Sequence, residues 1–392
     1  MAQMVLSPAL SVFDDVAQKA RQLRAQHESW MESGKVPNGV REVVRRGWQR
    51  PSVRAACDAD VLPEDQARER ITPGLKLVMP LLRERLLPLA ESAGCQLVAC
   101  DAEGVVVGIV GPRMVRDASD RLGFVMGANW SEQAVGLNAL GTAMVERQAV
   151  QLFGPEHSND RHHGWVCTGA PVQGGGHSQP LGAFTVSGPL LAAHPHTLAL
   201  VASVADEARR LLDEAHRADV ERQTPLPSVP GRHVILDEQG FVLRSEGFPV
   251  SGRVVDARTL QKAGIRWLDG LGFVQVGRWA AGWVLREHRT VPLALTVVDG
   301  ARPSVELATA AGSVHISITP RQRELLSLLA GHPAGLDARR LASAFTGDAG
   351  AVVTVRAEVS RLRSRLGPVL ASRPYRLTVP ATFCNPVPTS TG

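Results

Sequence analysis

The stretch VVTVRAEVSRLRSRL, residues 352–366, decides the fold expected for the C-terminal part of this chain. Val352, Val355, Val359, Leu362 and Leu366 follow one another at intervals of three, four, three and four residues. This spacing puts five aliphatic side chains on one stripe of an α-helix, so it predicts a helix with one buried face. The opposite face and its flanks carry small residues and arginines, namely Thr354, Arg356, Ala357, Ser360, Arg361, Arg363, Ser364 and Arg365.

The residues around this helix predict two more helices before it and a hairpin after it. Thr319 is a suitable N-cap, Pro320 fits the first helical position, and Gly331 fits the end of the first helix. The turn HPAGLD and the apolar pattern of LDARRLASAF predict a second helix. The stretch SRPYRLTV predicts a strand hairpin that carries Arg373, Tyr375 and Arg376.

The basic charge of the chain is concentrated in this C-terminal part. Residues 319–379 contain ten arginines, no lysine and four acidic residues, a formal net charge of +6, whereas the whole chain carries +5. Concentrated basic charge indicates a polyanionic partner such as double-stranded DNA. Arginines and small residues on an exposed helix face suit the floor of the major groove, where phosphates would repel acidic side chains. Charge alone leaves open the alternative of a solvated arginine-rich surface.

Three stretches of this part resemble, in order and spacing, the winged-helix output domain of bacterial response regulators. They are TPRQRELLSLL, VTVRAEVSRLRSRLG and RPYRL. The resemblance covers about 60 residues and implies that helix 352–366 enters the major groove of DNA. The connection GPVLAS is short for that family, which leaves the size of the wing open, and a helical protein-interaction domain is the alternative. The DNA-binding residues implied by the resemblance are Thr354, Arg356, Ser360, Arg361, Arg363, Arg365, Arg373, Tyr375 and Arg376.

The first half of the chain alternates strands and helices, which predicts a central sheet flanked by helices in an α+β arrangement. CQLVACDAEGVVVGIVG predicts two strands joined by a turn, and AVQLFG, GWVCTGAPVQ and LGAFTVSG predict three more. Helical patterns cover residues 74–92, 131–147 and 196–220, and Pro80 and Pro88 are expected to break or kink the first of them. The apolar stripe of the last helix is longer than one sheet face needs, which predicts a homodimer.

The segment GANWSEQAVGLNALGTAMVERQAVQLFGPEHSNDRHHGWVCTGAPVQ resembles the GAF sensor domain of acetoin-catabolism-type regulators, and the resemblance covers roughly residues 40–215. Leu137 stands where that family has threonine, and QGGGHSQP replaces a tighter turn. The matching residues are Trp130, Glu132, Gly136, Asn138, Gly141, Thr142, Glu156, His157, Cys167, Ala170, Pro171 and Gly182. The resemblance implies a small-molecule site between the sheet and the helices, with Trp130, Asn138, Thr142 and Cys167 as its candidate ligand-binding residues.

Between the two halves, QTPLPSVPG at residues 223–231 predicts a flexible linker, and the apolar runs that follow predict a small β-rich module. The hairpin of this module, Asp237–Gly240, repeats the Asp-x-x-Gly pattern of Asp101–Gly104, but two hairpins do not establish a duplication. The sequence thus predicts five parts. They are a helical N-terminal segment (1–70), the GAF-like sensor domain (71–222), the β-rich module (232–312), the winged-helix domain (313–380) and a tail (381–392).

We predict a ligand-responsive transcriptional regulator that is not an enzyme. Its candidate partners are a small-molecule effector, double-stranded DNA and RNA polymerase. The regulators it resembles often carry an ATPase domain, but this chain has no G-x-x-x-x-G-K-[ST] phosphate loop, so we expect a simple DNA binder. Two alternatives stay open: a thiol-based or signalling enzyme on a GAF scaffold, and a phosphorylation-gated response regulator.

The cysteines and histidines predict neither a metal site nor a cofactor. Cys57, Cys95, Cys100, Cys167 and Cys384 form no C-x-x-C pair, and Cys167 is interpreted as a core residue rather than a reactive thiol. His157, His162, His163, His177, His194 and His196 match no standard ligand spacing and are interpreted as solvated loop residues. No apolar run approaches the roughly 18 residues of a membrane span and the N-terminus does not resemble a signal peptide, which predicts a cytoplasmic protein.

Overall fold

The computed structural model describes residues 6–54, 60–254, 260, 264–268, 270–288, 292–300, 303–309 and 312–384. Within these residues the chain is α+β, as predicted, and it divides into two compact units, Met1–Asp219 and Val220–Gly392. We call them unit 1 and unit 2. Cys57 lies outside the described residues.

Unit 1 is built on one antiparallel sheet with the strand order β2-β1-β5-β4-β3. Its strands are β1 (Gln96–Asp101), β2 (Val106–Val110), β3 (Val150–Phe153), β4 (Trp165–Val172) and β5 (Gly182–Pro189). Its helices are α1 (Val16–Ser33), α2 (Glu42–Trp48), α3 (Pro51–Arg54), α4 (Glu64–Glu69), α5 (Pro73–Ser92), α6 (Arg113–Asp120), α7 (Glu132–Val135), α8 (Ala139–Glu146) and α9 (Pro195–Gln223).

Both faces of this sheet are buried. Along β1, Leu97 and Ala99 belong to one hydrophobic core with α5 and α9, whereas Val98 and Cys100 belong to another with Trp130 and Leu140. Successive residues of a strand point to opposite faces, so a strand covered on both sides is apolar along its whole length. This explains the uninterrupted apolar run LVAC, and it places the sheet in the middle of a three-layer unit.

The prolines of α5 do not break it, which excludes one of the two outcomes, a break or a kink, that we predicted for them. The helix runs without interruption from Pro73 to Ser92 with Pro80 and Pro88 inside it. Each interior proline costs about 3 kcal/mol of helix stability. Leu75, Val78, Leu82 and Leu86 are buried on one face of the helix, and burial of such side chains contributes about 1.5–3 kcal/mol each. Tertiary packing therefore offsets the unfavourable local preference.

The single helix predicted over residues 131–147 is two short helices, α7 and α8, separated by Gly136. Gly136 has a φ of 79°, and a Cβ atom at this position would lie 2.1 Å from the Ser158 hydroxyl oxygen. The chain therefore needs glycine here both for its backbone conformation and for space. Asn138 then begins α8 as its N-cap.

The apolar stripe of α9, on which we based the predicted homodimer, is used inside unit 1. Leu198, Val201, Ala208 and Leu212 are buried in the same core as α5 and the sheet. Little of the stripe is left to cover a second copy of the chain. The homodimer stays a prediction, but it no longer has this argument in its favour.

Among its described residues, unit 2 contains two larger sheets, a short hairpin and three α-helices. The strands are β6 (His233–Asp237), β7 (Val242–Glu246), β8 (Gly264–Leu268), β9 (Gly272–Trp279), β10 (Gly282–Glu287), β11 (Pro292–Val298), β12 (Ser304–Thr309), β13 (Gly312–Ser317), β14 (Leu370–Ser372), β15 (Tyr375–Leu377) and β16 (Ala381–Cys384). The helices are α10 (Pro320–Ala330), α11 (Ala338–Thr346) and α12 (Val352–Leu366). The sheet orders are β7-β6-β10-β9-β8 and β13-β12-β11-β16, and β14 pairs with β15.

One hydrophobic core joins the second sheet of unit 2 to its three helices. Leu295 and Leu307 of the sheet are buried together with Leu325, Leu341 and Leu362 of the helices. The predicted boundary at residue 312 falls inside this core, because β11 and β12 precede it. The predicted tail also begins too early, since its first four residues form β16, which pairs in parallel with β11.

The first sheet of unit 2 has the same strand order as the sheet of unit 1. When the five strands of each sheet are numbered along the chain, both sheets have the order 2-1-5-4-3. The first hairpin is also built alike in both. Asp101 accepts backbone hydrogen bonds from Glu103 and Val105, and Asp237 accepts them from Gln239 and Phe241, at 2.8–3.0 Å. The shared hairpin pattern of the sequence therefore extends to a shared sheet topology.

Candidate functional site

A cavity of about 20 Å³ lies in unit 1 beside the start of α8 and the middle of β4 and β5. We call it the histidine cavity, because two buried imidazoles form part of its wall. Its lining residues are Leu122, Phe124, Trp130, Asn138, Ala139, Leu140, His157, His162, Trp165, Cys167, Thr185 and Ser187. A space of this size holds about one water molecule, so a larger ligand requires its wall to move.

The two imidazoles of the histidine cavity leave ring nitrogens without a hydrogen-bond partner among the described residues. These atoms are Nε2 of His157 and Nδ1 of His162, and both side chains are buried. The other ring nitrogen of His157, Nδ1, lies 2.9 Å from the Gly154 carbonyl oxygen. A carbonyl oxygen only accepts, so Nδ1 carries the proton and Nε2 presents a lone pair. Burial lowers the pKa of His157 to about 4 and that of His162 to about 3, so both rings are neutral near pH 7.

Aromatic rings and a row of small polar groups complete the wall. The ring of Trp130 lies 4.0 Å from that of Phe124 and 4.9 Å from that of His162, measured between centroids. Across the cavity, the hydroxyl oxygens of Thr185 and Ser187 are 3.1 Å apart. The site therefore combines apolar surface with a few hydrogen-bonding groups, and its lining includes no carboxylate, lysine or arginine side chain, which is the composition of a small-molecule site.

Of the four predicted ligand-binding residues, Trp130, Asn138 and Cys167 line the histidine cavity and Thr142 does not. The Thr142 hydroxyl donates to the Glu132 carboxylate at 2.6 Å. The Asn138 side chain is also engaged, because it accepts from the Gly141 amide and donates to the carbonyl oxygens of Trp130 and Gly136. Asn138 and Thr142 therefore hold α7 and α8 in place.

The interpretation of the histidine-rich stretch as a solvated loop is wrong for three of its members. His157, His162 and His163 are all buried. His163 packs against His27 of α1, and His162 packs against Trp130. Because these partners are distant in sequence, no local sequence pattern predicts the burial. The E-H pair of the resemblance marked His157, but nothing in the spacing marked His162 as a wall residue.

Two of the ion pairs that attach the N-terminal segment to the elements carrying the cavity involve almost fully buried glutamates. Arg41 contacts Glu156 through Nε and one terminal nitrogen, at 2.8 and 2.6 Å, and Glu156 directly precedes His157. Arg50 contacts Glu132 in the same two-point manner, at 2.6 Å for both bonds. Two parallel N–H···O bonds fix the orientation of the partners as well as their distance.

The three thiols of unit 1 that lie among the described residues are unreactive in this arrangement. Burial raises the pKa of Cys167 and of Cys100 to about 12, and that of Cys95 to about 11. The thiolate is the nucleophilic form of cysteine, so these groups are protonated and inert at neutral pH. This agrees with the interpretation of Cys167 as a core residue.

In unit 2, α12 covers the predicted residues 352–366 and buries the predicted stripe. Thr354, Arg356, Ser360, Arg361 and Arg365 are exposed on it. Val353, which we had not singled out, is 80% exposed on the same helix.

Two of the predicted DNA-binding arginines hold the fold of unit 2 together. Arg363 donates from Nε and a terminal nitrogen to the Leu370 carbonyl oxygen, both at 3.0 Å, and Arg365 donates to the Ser317 carbonyl oxygen at 2.6 Å. Arg361 instead pairs with Glu358 one turn earlier on the exposed face. We therefore treat Arg363 and Arg365 chiefly as residues that position α12 against its neighbours.

The hairpin β14–β15 is short, and its tip carries the exposed Arg373. Arg376 is exposed and Tyr375 is half-buried. The backbone of Tyr375 pairs with that of Leu336 before α11, at 3.0 and 2.9 Å. This pairing ties the hairpin to the turn between α10 and α11.

In the part of the chain that the structure describes, no helix is both long and apolar enough to cross a membrane.

Comparison with known proteins places transcriptional regulators among the relatives of this chain. The acetoin dehydrogenase operon transcriptional activator AcoR of Bacillus subtilis (strain 168) is 33% identical over 202 residues, which are 51% of this chain and 31% of AcoR. The propane 2-monooxygenase operon transcriptional activator MimR of Mycolicibacterium goodii is 27% identical over 176 residues, 43% of this chain and 28% of MimR. The chain thus spans about a third of the length of these activators. No protein-family model matches it.

One relative matches along nearly the whole chain. The uncharacterized 47.3 kDa protein in the thcA 5′ region of Rhodococcus erythropolis is 30% identical over 379 residues, which are 93% of this chain and 71% of that protein. This chain belongs to the family of that protein.

Proposed function

We propose that this protein is a transcriptional regulator that senses a small uncharged molecule in the histidine cavity and binds double-stranded DNA through α12. The observation that carries the sensing part is the pair of buried ring nitrogens, Nε2 of His157 and Nδ1 of His162, which have no partner among the described residues. Leaving such an atom unpaired costs about 1–3 kcal/mol, so a ligand that supplies the missing hydrogen bonds gains binding energy there. The relatedness to AcoR and MimR supports the regulatory role.

The chemistry of the cavity wall defines the class of effector. The lone pair of His157 Nε2 accepts a hydrogen bond, so the effector carries a hydroxyl or N–H group. The rings of Trp130 and Trp165 cover the apolar remainder of a small molecule. A charged effector would be buried without a counter-ion, which is strongly unfavourable.

The small volume of the histidine cavity explains how binding produces a signal. An effector larger than water fits only if residues of the wall move, and a ligand shifts an equilibrium between two conformations by its difference in affinity for them. The wall segment from His157 to His162 follows Glu156, which Arg41 holds. Effector binding is therefore expected to act on the contact between this segment and the N-terminal helices.

Replacing His162 by leucine tests the sensing proposal. The ligand-free protein is expected to be as stable as the wild type or more stable, because the substitution removes an unpaired buried nitrogen. Its response to effector is expected to fall sharply. In the wild type, an effector at 100 times its Kd stabilises the folded protein by about 2.7 kcal/mol. The measurement is a thermal-shift screen of the full chain against small alcohols, diols, hydroxyketones and amides.

His177→Leu is the matched control, since His177 is exposed and lies outside the cavity wall. It should leave the effector response unchanged. A His162→Leu protein that responds like the wild type would place the effector elsewhere. A wild type that responds to no compound of a broad panel would count against sensing by unit 1.

The DNA-binding part of the proposal rests on the exposed face of α12 and on the net charge of +6 over residues 319–379. Three helices followed by a hairpin, with a basic third helix, support a winged-helix arrangement in which α12 enters the major groove. Arg373 at the tip of the hairpin would then reach the DNA backbone. Because DNA sites of such proteins are often two-fold symmetric, we also propose a homodimer, and RNA polymerase as a further partner.

The alternatives raised by the sequence have less support. A thiol-based enzyme needs a reactive thiolate, whereas burial raises the pKa values of Cys95, Cys100 and Cys167. A phosphorylation-gated receiver domain is built on a parallel sheet, whereas every strand pair of the unit 1 sheet is antiparallel. A sensing module joined to a DNA-binding module therefore accounts best for the two units.

A further inference from the structure

His27, Asp160 and His163 come together at the surface of unit 1, outside the histidine cavity. Their potential ligand atoms all lie within 4.8 Å of one another. The Asp160 carboxylate oxygen is 3.5 Å from Nδ1 of His27 and 3.5 Å from Nε2 of His163. His27 belongs to α1, whereas Asp160 begins the short helical turn before β4 and His163 directly follows that turn. The cluster therefore joins the N-terminal helix to the segment that carries His162.

We propose that these three side chains bind a divalent transition-metal ion such as Zn²⁺. Two imidazoles and one carboxylate form the nitrogen-rich donor set that Zn²⁺, Ni²⁺ or Co²⁺ prefers, whereas Mg²⁺ and Ca²⁺ prefer oxygen ligands. Zn–N and Zn–O distances of about 2.0–2.2 Å put the ligands of a tetrahedral ion roughly 3.3 Å apart. The two separations of 3.5 Å that involve Asp160 are close to this value. All three ligand atoms lie within 4.8 Å of one another, so binding requires them to approach by up to about 1.5 Å.

The hydrogen bond made by His27 favours a ligand role for its free nitrogen. Its Nε2 lies 3.2 Å from the Ser158 carbonyl oxygen, so Nε2 carries the proton of the neutral ring. Nδ1 then faces the Asp160 carboxylate, so this ring nitrogen and a carboxylate oxygen are placed to bind the same ion. Histidines that bind metals commonly donate their other ring N–H to a carbonyl or carboxylate, which fixes the ring as it is fixed here.

The surroundings hold the two rings and leave the carboxylate accessible. His27 is buried edge-on against the stacked rings of Trp30 and Trp48, at centroid distances of 5.5 and 5.7 Å. Its ring also lies edge-on to that of His163 at 4.7 Å. The Asp160 side chain, in contrast, is 82% exposed. Nε2 of His163 lies 3.3 Å from the His157 carbonyl oxygen, so the neutral ring shifts its proton from Nε2 to Nδ1 when Nε2 binds the ion. An ion thus enters from solvent and completes its shell with water.

The test uses the full chain, stripped with a chelator and titrated with Zn²⁺ under reducing conditions by isothermal calorimetry. Co²⁺ serves as a spectroscopic substitute in a parallel titration. We expect one ion per chain, an increase in melting temperature on binding, and tetrahedral Co²⁺ absorption. Asp160→Asn is the main variant because Asp160 is exposed, so the substitution should not disturb folding. It is expected to weaken Zn²⁺ binding at least tenfold and to abolish the thermal shift.

His27→Gln is the second variant and should remove the Co²⁺ absorption. The control is the double variant His194→Gln/His196→Gln, which removes another close histidine pair, at 4.7 Å between ring centroids, and should bind Zn²⁺ like the wild type. A wild type that binds no Zn²⁺ would overturn the proposal, as would an Asp160→Asn protein that binds it unchanged. Neither readout involves DNA or the effector, so this result stands apart from the proposed regulatory function.

Discussion

Replacing Arg41 by alanine is expected to destabilise unit 1 by about 3–5 kcal/mol, the usual effect of removing one partner from a buried ion pair. The Glu156 side chain is only 1% exposed, and both of its oxygens accept from Arg41. Without Arg41, the carboxylate keeps one backbone donor, the Phe153 amide at 3.0 Å, and no counter-ion among its described contacts. The measurement is urea denaturation of the full chain, followed by hydrogen exchange in peptides of unit 1.

Arg45→Ala is the matched control for this experiment. Arg45 lies on the adjacent helix and pairs with Glu42, and both side chains are largely exposed. Exposed pairs of this kind contribute little to stability, because water and salt screen the attraction between their charges. Adding Glu156→Gln to Arg41→Ala should restore part of the lost stability, because it removes the unpaired charge. Equal losses for Arg41→Ala and Arg45→Ala would show that the pair with Glu156 is not a principal attachment of the N-terminal segment.

The second large effect is expected for DNA binding when Arg361 is replaced by alanine. Arg361 lies on the exposed face of α12, and its pair with Glu358 is solvent-accessible, so the arginine can exchange this partner for DNA. If it reads a guanine edge, specific binding weakens by about 1–3 kcal/mol, or roughly 5–150-fold. If it contacts a phosphate, binding falls alike for all sequences and the salt dependence decreases by about one unit of slope.

The DNA experiment measures affinity for operator and unrelated fragments at several salt concentrations. Arg85→Ala is the control, because Arg85 is a half-exposed arginine of unit 1 that pairs with Glu207. It should leave both affinities unchanged. An Arg361→Ala protein with wild-type affinity, specificity and salt dependence would contradict the proposed role of α12.

The features that the sequence predicted well are those governed by local periodicity. The helix over 352–366 was predicted to its terminal residues, because its five aliphatic residues face one core and nothing distant competes. In α5, by contrast, Pro80 and Pro88 gave a strong local signal that packing of the opposite face overrode. Local signals are reliable where tertiary contacts agree with them and fail where those contacts are stronger.

The candidate sites depend on contacts that no local pattern encodes. Trp130, Asn138 and Cys167 came from the family resemblance, whereas the burial of His162 depends on Trp130, some thirty positions earlier. His27 pairs with residues in a different element, far along the chain, so its spacing to them carries no information. The same holds for the boundary at 312, since the core of unit 2 assembles strands on both sides of it.

The parallel pairing of β16 with β11 has a consequence for how unit 2 is made. The two strands lie 86 positions apart at the pair of Thr296 and Thr382, and all three helices and the β14–β15 hairpin lie between them. On the ribosome, β11 emerges well before its edge partner, and contacts of such long sequence separation slow the folding reaction. During synthesis the edge of β11 remains unpaired and prone to misassociation, which makes this unit a candidate for chaperone protection until Cys384 has been released.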